Sequence, residues 1–195
     1  MNINWQHREL NLKVVYYGPA LSGKTTNLEQ IYKRVNPNQR SELVSLKTHE
    51  DRTLFFDFLQ LELGKIGGLT PKIHLYTVPG QSYYEASRRL VLRGTDGVVF
   101  VVDSSVSRLN DNVAAWKDMY SHLRSFGFDP DKMPIVVQFN KQDLPDALNP
   151  LAIKNLLHTN GKPVVNAVAV RGEGVLDTLK LITRAVMTNV QREIA

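Results

Sequence analysis

The 195-residue sequence contains no cysteine. Disulfide bonds, thiolate metal sites, catalytic thiols, prenylation and palmitoylation are therefore excluded. The second residue is Asn2, so the glycine that N-myristoylation requires is also missing. The longest apolar runs are short, such as Val98–Val102, whereas a membrane-spanning helix needs roughly 20 residues. The polar N-terminus lacks the apolar segment of a signal peptide, and we expect a cytoplasmic protein without a lipid anchor.

The charge of the chain is +5, from 24 Lys and Arg against 19 Asp and Glu. A positive balance can indicate a nucleic-acid or anionic lipid partner, but here the basic residues are dispersed and form no long run. We therefore expect no nucleic-acid surface. With 43% hydrophobic residues the chain can bury a sizeable core, and its length predicts a single domain over residues 1–195.

Short apolar strands alternate with amphipathic helices along the chain. The predicted strands are Leu12–Tyr17, Leu43–Leu46, Phe55–Leu63, Ile73–Val78, Val98–Val102, Pro134–Phe139 and Val164–Val168. The predicted helices are Lys24–Val35, Asn110–Phe126, a short helix that Asn149 caps, and a C-terminal helix from Val175 to Val190. This order predicts a three-layer α/β fold with a mostly parallel central sheet and helices on both faces. Ligands of such sheets bind at the carboxyl ends of the strands.

A phosphate-binding loop follows the first of these strands. Gly18–Thr25 matches the pattern G-x-x-x-x-G-K-[ST] at all four fixed positions, between a buried strand and an amphipathic helix. Its glycines allow close approach of the backbone, whose N–H groups bind phosphate oxygens. Lys24 supplies positive charge to the outer phosphates, and the Thr25 hydroxyl binds Mg²⁺. The predicted nucleotide-binding residues here are Gly18, Pro19, Ala20, Leu21, Ser22, Gly23, Lys24, Thr25 and Thr26.

A second motif, N-K-x-D, follows the strand Pro134–Phe139. The Asp143 carboxylate can accept hydrogen bonds from the N1–H and the amine of guanine, whereas adenine leaves it unpaired. We expect Lys141 to lie across the base and Asn140 to join this loop to the phosphate loop. Val168, Ala169 and Val170 follow the last strand, where a backbone N–H can meet the guanine carbonyl.

The sequence resembles the Ras-like small GTPases, and specifically the bacterial MglA-type polarity GTPases, over essentially its whole length. The strings that carry this resemblance are Tyr16–Pro19, Ser22–Leu28, Asp51–Leu59, His74–Gln81, Ala86–Arg88, Asn140-Lys141 and Asp143–Pro145. It implies a P-loop NTPase (Ras-like) fold that binds GTP or GDP with Mg²⁺.

The resemblance also implies two nucleotide-sensitive switch segments, at about residues 49–56 and 79–94. In the first, Thr53 binds Mg²⁺ and senses the γ-phosphate, and Arg52 acts as an arginine finger supplied by the chain itself. In the second, Gln81 orients the attacking water and Gly80 belongs to the nucleotide-binding set. Together with Lys24, Arg52 and Gln81 form the predicted catalytic set.

Two positions depart from the wider superfamily. Thr77 stands where most small GTPases carry the aspartate of D-x-x-G, which supports Mg²⁺ through water; MglA-type proteins share the threonine. Asp103, at the end of the strand Val98–Val102, is a candidate replacement. Ala20 stands where many relatives have glycine, and its methyl group points towards the γ-phosphate, so we expect slow intrinsic hydrolysis.

The sequence therefore predicts a small regulatory GTPase, monomeric on its own, that slowly converts GTP to GDP and phosphate. The resemblance implies a roadblock-domain, MglB-like activator, effectors that bind the GTP state, and recruitment to a cell pole by such partners. Two alternatives remain. A nucleotide-binding scaffold with negligible hydrolysis is favoured by Ala20 and by the missing aspartate, but Arg52 and Gln81 argue against it. An ATPase conflicts with Asp143.

Overall fold

The computed structural model describes residues 1–46, 56–65, 67–80, 84–159 and 161–194. Within these ranges the strands are β1 Asn2–Asn4, β2 Glu9–Tyr17, β3 Val44–Leu46, β4 Phe56–Glu62, β5 Thr70–Thr77, β6 Gly97–Asp103, β7 Ile135–Asn140 and β8 Val164–Asn166. The helices are α1 Lys24–Arg34, α2 Glu85–Leu92, α3 Leu109–Ser125, α4 Pro150–Leu157 and α5 Val175–Ile194.

One mixed sheet organises the described part of the chain, with its strands in the order β3-β4-β5-β2-β6-β7-β8. The neighbours from β5 to β8 run parallel, whereas β4 is antiparallel to both of its neighbours, β3 and β5. The short strand β1 pairs antiparallel with the start of β2. Because β2, β6, β7 and β8 are parallel, their carboxyl ends lie at one edge, where the phosphate loop, the N-K-x-D segment and the loop with residues 168–170 begin.

Two apolar cores cover the two faces of the sheet. Val14 and Tyr16 of β2 face the core that contains residues of α1 and α5, whereas Val15 and Tyr17 face the core that contains residues of α2, α3 and α4. This alternation follows from the two-residue period of a strand. Strand β6 is buried at all seven of its positions, as expected for a central parallel strand covered on both faces.

The predicted fold class is confirmed, and most predicted elements shift by only one to three residues at their ends. The Asn149 side chain accepts a hydrogen bond from the Leu151 N–H at 2.8 Å and caps α4 as predicted. One strand and one α-helix were not predicted: β1, which has a polar sequence, and α2, which lies in the predicted second switch segment. The predicted strand Val164–Val168 ends at Asn166, because Val168 pairs with Glu173 in a tight turn. In the part of the chain that the structure describes, no helix has the length and apolarity to cross a bilayer.

Candidate functional site

The phosphate loop joins the end of β2 to the start of α1. Gly18 and Gly23 have φ angles of +145° and +102°, in the region that side chains disfavour. A Cβ atom at Gly23 would lie 2.2 Å from Nδ2 of Asn140, and one at Gly18 would lie 2.2 Å from the carbonyl oxygen of Val101. Both positions therefore require glycine, for conformation and for space.

The Lys24 side chain is buried inside this loop. Its ammonium donates hydrogen bonds to the carbonyl oxygens of Gly18, at 3.0 Å, and Pro19, at 2.6 Å. Burial, together with the positive charge of Arg88, lowers the pKa of Lys24 to about 7, although the Asp57 carboxylate opposes this. Keeping Lys24 charged in this position is therefore costly, and the oxygens of a bound polyphosphate would stabilise the charged form.

A carboxylate surrounded by hydroxyl groups lies beside the loop. Asp57 of β4 accepts hydrogen bonds from the hydroxyls of Thr25 at 2.6 Å, Ser45 at 2.6 Å and Thr77 at 2.9 Å. Its own backbone N–H donates to the Thr77 hydroxyl at 2.8 Å. Asp57 therefore stands beside the threonine that replaces the D-x-x-G aspartate. The sequence did not predict that Asp57 stands beside Thr25 and Thr77. The strand pattern nevertheless contained a signal, because Asp57 lies on the same strand face as the buried Leu59 and Leu61, where a carboxylate needs polar partners.

Asp103, the sequence candidate for this supporting role, lies elsewhere. Its carboxylate is 2.6 Å from the ammonium of Lys141 and 4.0 Å from Nε of Arg108. Asp103 thus lies with Lys141 on the predicted base-reading side of the site, and Asp57 is the carboxylate that reaches Thr25. Arg108 was also missed: one guanidinium nitrogen donates to the Ala20 carbonyl oxygen at 2.9 Å and so holds the middle of the phosphate loop.

A cavity of about 450 Å³ opens over the phosphate loop. It is lined by predicted nucleotide-binding residues, by residues of β4 and β5, and by residues that follow β5, namely Ala20, Leu21, Gly23, Lys24, Thr25, Thr26, Phe56, Asp57, Thr77, Val78, Pro79, Gly80 and Tyr84. The described residues contain no cluster of three or more histidine, aspartate or glutamate side chains. The Thr25 hydroxyl and the Asp57 carboxylate are oxygen groups of the kind that Mg²⁺ prefers, and together with water and phosphate they would suit that cation.

Asn140 connects three loops at the carboxyl edge of the sheet. These are the phosphate loop and the two predicted base-reading loops, which are the N-K-x-D segment and the loop that begins at Ala169. Its side-chain amide donates to the Ser22 carbonyl oxygen at 2.7 Å and accepts from the Ala169 N–H at 2.8 Å. The side chain is buried, so these hydrogen bonds hold the phosphate loop against both predicted base-reading loops. Val168 is buried with Ala169, whereas Val170 is exposed.

The rest of the N-K-x-D segment belongs to the predicted base-reading half of the site. Lys141 has a positive φ of 64°, and its ammonium is fixed by Asp103. The Gln142 side chain donates to the Ser104 hydroxyl at 2.7 Å. The Asp143 carboxylate is 3.9 Å from Arg171 and remains partly exposed, so its oxygens are accessible to a ligand.

Three predicted site residues, Arg52, Thr53 and Gln81, lie outside the described residues. The structure brings the other members of the predicted site to one edge of the sheet, in the phosphate loop, at Gly80 and in the two base-reading loops.

Comparison with known proteins gives consistent matches. The sequence model of the ADP-ribosylation factor family matches residues 2–186. The mutual gliding-motility protein MglA of Myxococcus xanthus is 47% identical over 190 residues, which are 97% of each chain. The Ras-related protein Rab-7a of Dictyostelium discoideum is 27% identical over 137 residues, 70% of this chain and 62% of that protein. The ADP-ribosylation factor-like protein 4D of Mus musculus is 30% identical over 123 residues, 63% of this chain and 58% of that protein.

Proposed function

The chain belongs to the ADP-ribosylation factor family of Ras-like small GTPases, and on that premise we propose that it is a switch in bacterial cell polarity or gliding motility. It is an enzyme that hydrolyses GTP to GDP and phosphate, as the family does. The likeness to a protein named for gliding motility, at 47% identity over 97% of both chains, supports this biological role. Residues 1–195 form one G domain in this proposal.

The observation that carries the nucleotide site is the position of Asn140 between the phosphate loop and the Ala169 loop. A guanine nucleotide has a phosphate end and a base end, and these contacts hold the two corresponding halves of the site together. In the proposed complex Asp143 accepts hydrogen bonds from guanine, the stem of Lys141 covers the base, and a backbone N–H of 168–170 reaches the guanine carbonyl.

At the phosphate end of the site, the backbone N–H groups of residues 18–26 and the Lys24 ammonium bind the phosphates in the proposed complex. Thr25 and Thr53 would hold Mg²⁺, and Asp57 would support it from behind Thr25 in place of the missing aspartate. When bound, Mg²⁺ neutralises charge on the β- and γ-phosphates.

For hydrolysis we propose that Gln81 orients the attacking water and that Arg52 neutralises charge that develops on the transferred group. Gly80 contributes to the γ-phosphate end of the site. Because Arg52 belongs to the chain itself, an activator need only position it. The proposed activator is a roadblock-domain, MglB-like protein, and the proposed effectors bind the GTP-loaded surface of a monomer, which they recruit to a cell pole.

The decisive experiment measures GTP hydrolysis in single turnover, with and without a roadblock-domain protein encoded by the same genome. We expect slow intrinsic hydrolysis and clear stimulation. Arg52→Ala and Gln81→Leu should each bind GTP normally but lose stimulated hydrolysis by on the order of 10³-fold. Ala20→Gly, measured in parallel, should raise the intrinsic rate because it removes the methyl group beside the γ-phosphate.

Three results would contradict these assignments. Normal stimulated turnover in either the Arg52 or the Gln81 variant would remove that residue from the catalytic role. Negligible hydrolysis under both conditions, with tight GTP binding, would instead favour the nucleotide-binding scaffold. An unchanged rate in the Ala20 variant would remove the steric explanation of slow hydrolysis.

A further inference from the structure

Three polar side chains lie in the core beneath the nucleotide site. Asn27 of α1, Gln138 of β7 and Thr178 of α5 are each 0% exposed to solvent. They lie on the face of the sheet that α1 and α5 cover, where the neighbouring core positions are aliphatic or aromatic. We call these three residues the buried polar triad.

The triad is held by a closed set of hydrogen bonds. The amides of Asn27 and Gln138 pair reciprocally, each donating to the carbonyl oxygen of the other at 2.8 Å. The second N–H of Gln138 donates to the Thr178 hydroxyl at 2.9 Å. The second N–H of Asn27 donates to the Gly23 carbonyl oxygen at 2.9 Å, and the Thr178 hydroxyl donates to the Gly174 carbonyl oxygen at 2.7 Å. All four amide N–H donors are therefore satisfied.

Each member is adjacent to a different part of the nucleotide site. Gly23, which Asn27 contacts, is the last glycine of the phosphate loop. Gln138 is two residues before Asn140 on the same strand. Gly174, which Thr178 contacts, ends the loop that begins at Ala169. The triad thus joins, within the core, the same three segments that Asn140 joins at the edge of the sheet: the phosphate loop, β7 and the loop that begins at Ala169.

A fully paired amide network differs from an apolar contact in what it specifies. Burying two amides contributes little net stability, because their bonds to water are lost. The paired arrangement is nevertheless directional, so a small displacement of α1 against β7 breaks hydrogen bonds, whereas aliphatic side chains tolerate it. The network therefore fixes the positions of α1, β7 and α5 relative to one another, and it contributes little to the free energy of folding.

We propose that the buried polar triad is a positioning device that sets the spacing between the phosphate loop and the base-reading loops without touching the ligand. A guanine nucleotide spans both halves of the site, so its affinity depends on how well that spacing is preorganised. A ligand that occupies only one half gains nothing from correct spacing. This inference rests on the proposed nucleotide site.

The test replaces the amide pair with apolar side chains of similar shape, in the double variant Asn27→Leu/Gln138→Met. Removing both partners leaves neither amide orphaned, and the Gly23 carbonyl oxygen keeps its helical hydrogen bond from the backbone N–H of residue 27 at 3.0 Å. We expect wild-type stability or better, because such replacements are close to neutral. Dissociation of GDP, followed with ribose-labelled fluorescent GDP, should be about tenfold faster, which corresponds to about 1.4 kcal/mol.

A second measurement separates positioning from a purely structural role. Guanosine occupies the base half and pyrophosphate the phosphate half. We expect both to compete with labelled GDP at the double variant as they do at the wild type, once the weaker binding of the probe is taken into account, whereas unlabelled GDP loses affinity. Equal losses for all three ligands would indicate general damage to the site and would overturn the proposal.

Thr178 offers a milder matched series. Thr178→Val removes the hydroxyl that Gln138 contacts and should speed GDP dissociation roughly threefold, whereas Thr178→Ser keeps the hydroxyl and should restore the slow rate. Thr95→Val is the control, because Thr95 is also buried and its hydroxyl donates to the carbonyl oxygen of Gly97, the first residue of β6, at the opposite edge of the sheet. It should leave GDP dissociation unchanged.

Each outcome is decisive. A folded double variant that releases GDP at the wild-type rate overturns the positioning role. If the double variant fails to fold, the Thr178 series decides, and equal rates for Thr178→Val and Thr95→Val overturn the proposal. A wild-type chain that binds no GDP would refute the proposed nucleotide site itself.

Discussion

At the scale of single residues, Asp57 changes how the missing D-x-x-G aspartate is understood. Three hydroxyl groups donate to its carboxylate, and one belongs to Thr25 of the phosphate loop. A carboxylate delivered from β4 thus reaches the site that a carboxylate at position 77 serves in the wider superfamily. We propose that Asp57 takes the place of the missing aspartate at position 77, although 20 residues separate the two positions in the chain.

The first prediction concerns this carboxylate. Asp57→Asn should release GDP about tenfold faster in the presence of Mg²⁺. The physical reason is that removing a hydrogen-bond partner of a metal ligand lowers metal affinity by about 10- to 100-fold. In excess chelator the variant and the wild type should release GDP at the same rate. Asp129→Asn, which alters an exposed carboxylate in the loop between α3 and β7, is the control. An equal acceleration with and without Mg²⁺ would assign Asp57 a purely structural role.

The second prediction concerns Lys24, whose pKa burial lowers to about 7. Binding of phosphate favours the charged form and so raises this pKa. Below pH 7 Lys24 is already protonated in the free protein, whereas above pH 7 it is largely neutral and must take up a proton as GDP binds. GDP affinity should therefore fall as the pH rises above 7.

Calorimetry in buffers of different ionisation enthalpy measures this proton uptake. We expect about one proton per GDP at pH 8 and little at pH 6. No uptake at pH 8 would show that Lys24 is charged before the nucleotide binds.

At the scale of the elements, β6 and α5 approach each other closely. A Cβ atom at Gly97 would lie 2.5 Å from Cγ2 of Val186 and 3.1 Å from Cδ1 of Ile182. The glycine at the start of β6 therefore lets the long C-terminal helix pack directly on the sheet. The close packing depends on side chains from elements far apart in the chain.

The third prediction tests this packing. Gly97→Ala should lower the free energy of unfolding by about 1–3 kcal/mol through overpacking, as measured by urea denaturation. Adding Val186→Ala should recover much of the loss, because it removes the atom that the new methyl group meets. Gly64→Ala is the control, since a Cβ atom there meets nothing within 4 Å. Similar losses at both glycines would indicate a backbone effect.

At the scale of the whole molecule, the nucleotide site holds together segments that are distant in sequence. Asn140 contacts Ser22 and Ala169, and the buried polar triad joins α1, β7 and α5 below them. A ligand that spans these segments should therefore stabilise the fold as a unit. The amount follows from its affinity, because binding to the folded state alone shifts the folding equilibrium.

The fourth prediction follows from that linkage. GDP at about a hundredfold excess over its Kd should raise the free energy of unfolding by about 2.7 kcal/mol, as seen in thermal or chemical denaturation. ADP at the same concentration should have little effect, because adenine leaves Asp143 unpaired. Asp143→Ala should reduce the effect of GDP while leaving the ligand-free protein as stable as before. Equal stabilisation by ADP and GDP would contradict the assignment of the base.

The sequence by itself determined the fold class, most of the strands and helices, and the two motifs that begin at the carboxyl ends of β2 and β7. These features are local, because strand periodicity, glycine spacing and the fixed letters of Gly18–Thr25 and Asn140–Asp143 are read from neighbouring residues. The polar strand β1 was not predicted, because its pairing with β2 and not its own composition makes it a strand.

Only the tertiary structure decided which carboxylate serves the phosphate loop. Asp103 and Asp57 are both acidic residues on core strands, but the sheet order places Asp57 beside Thr25 and Asp103 beside Lys141. The pairing of Asn27 with Gln138 was equally invisible, since 111 residues separate them. Hydrogen-bond partners of this kind depend on sheet order and strand register, which local patterns do not encode.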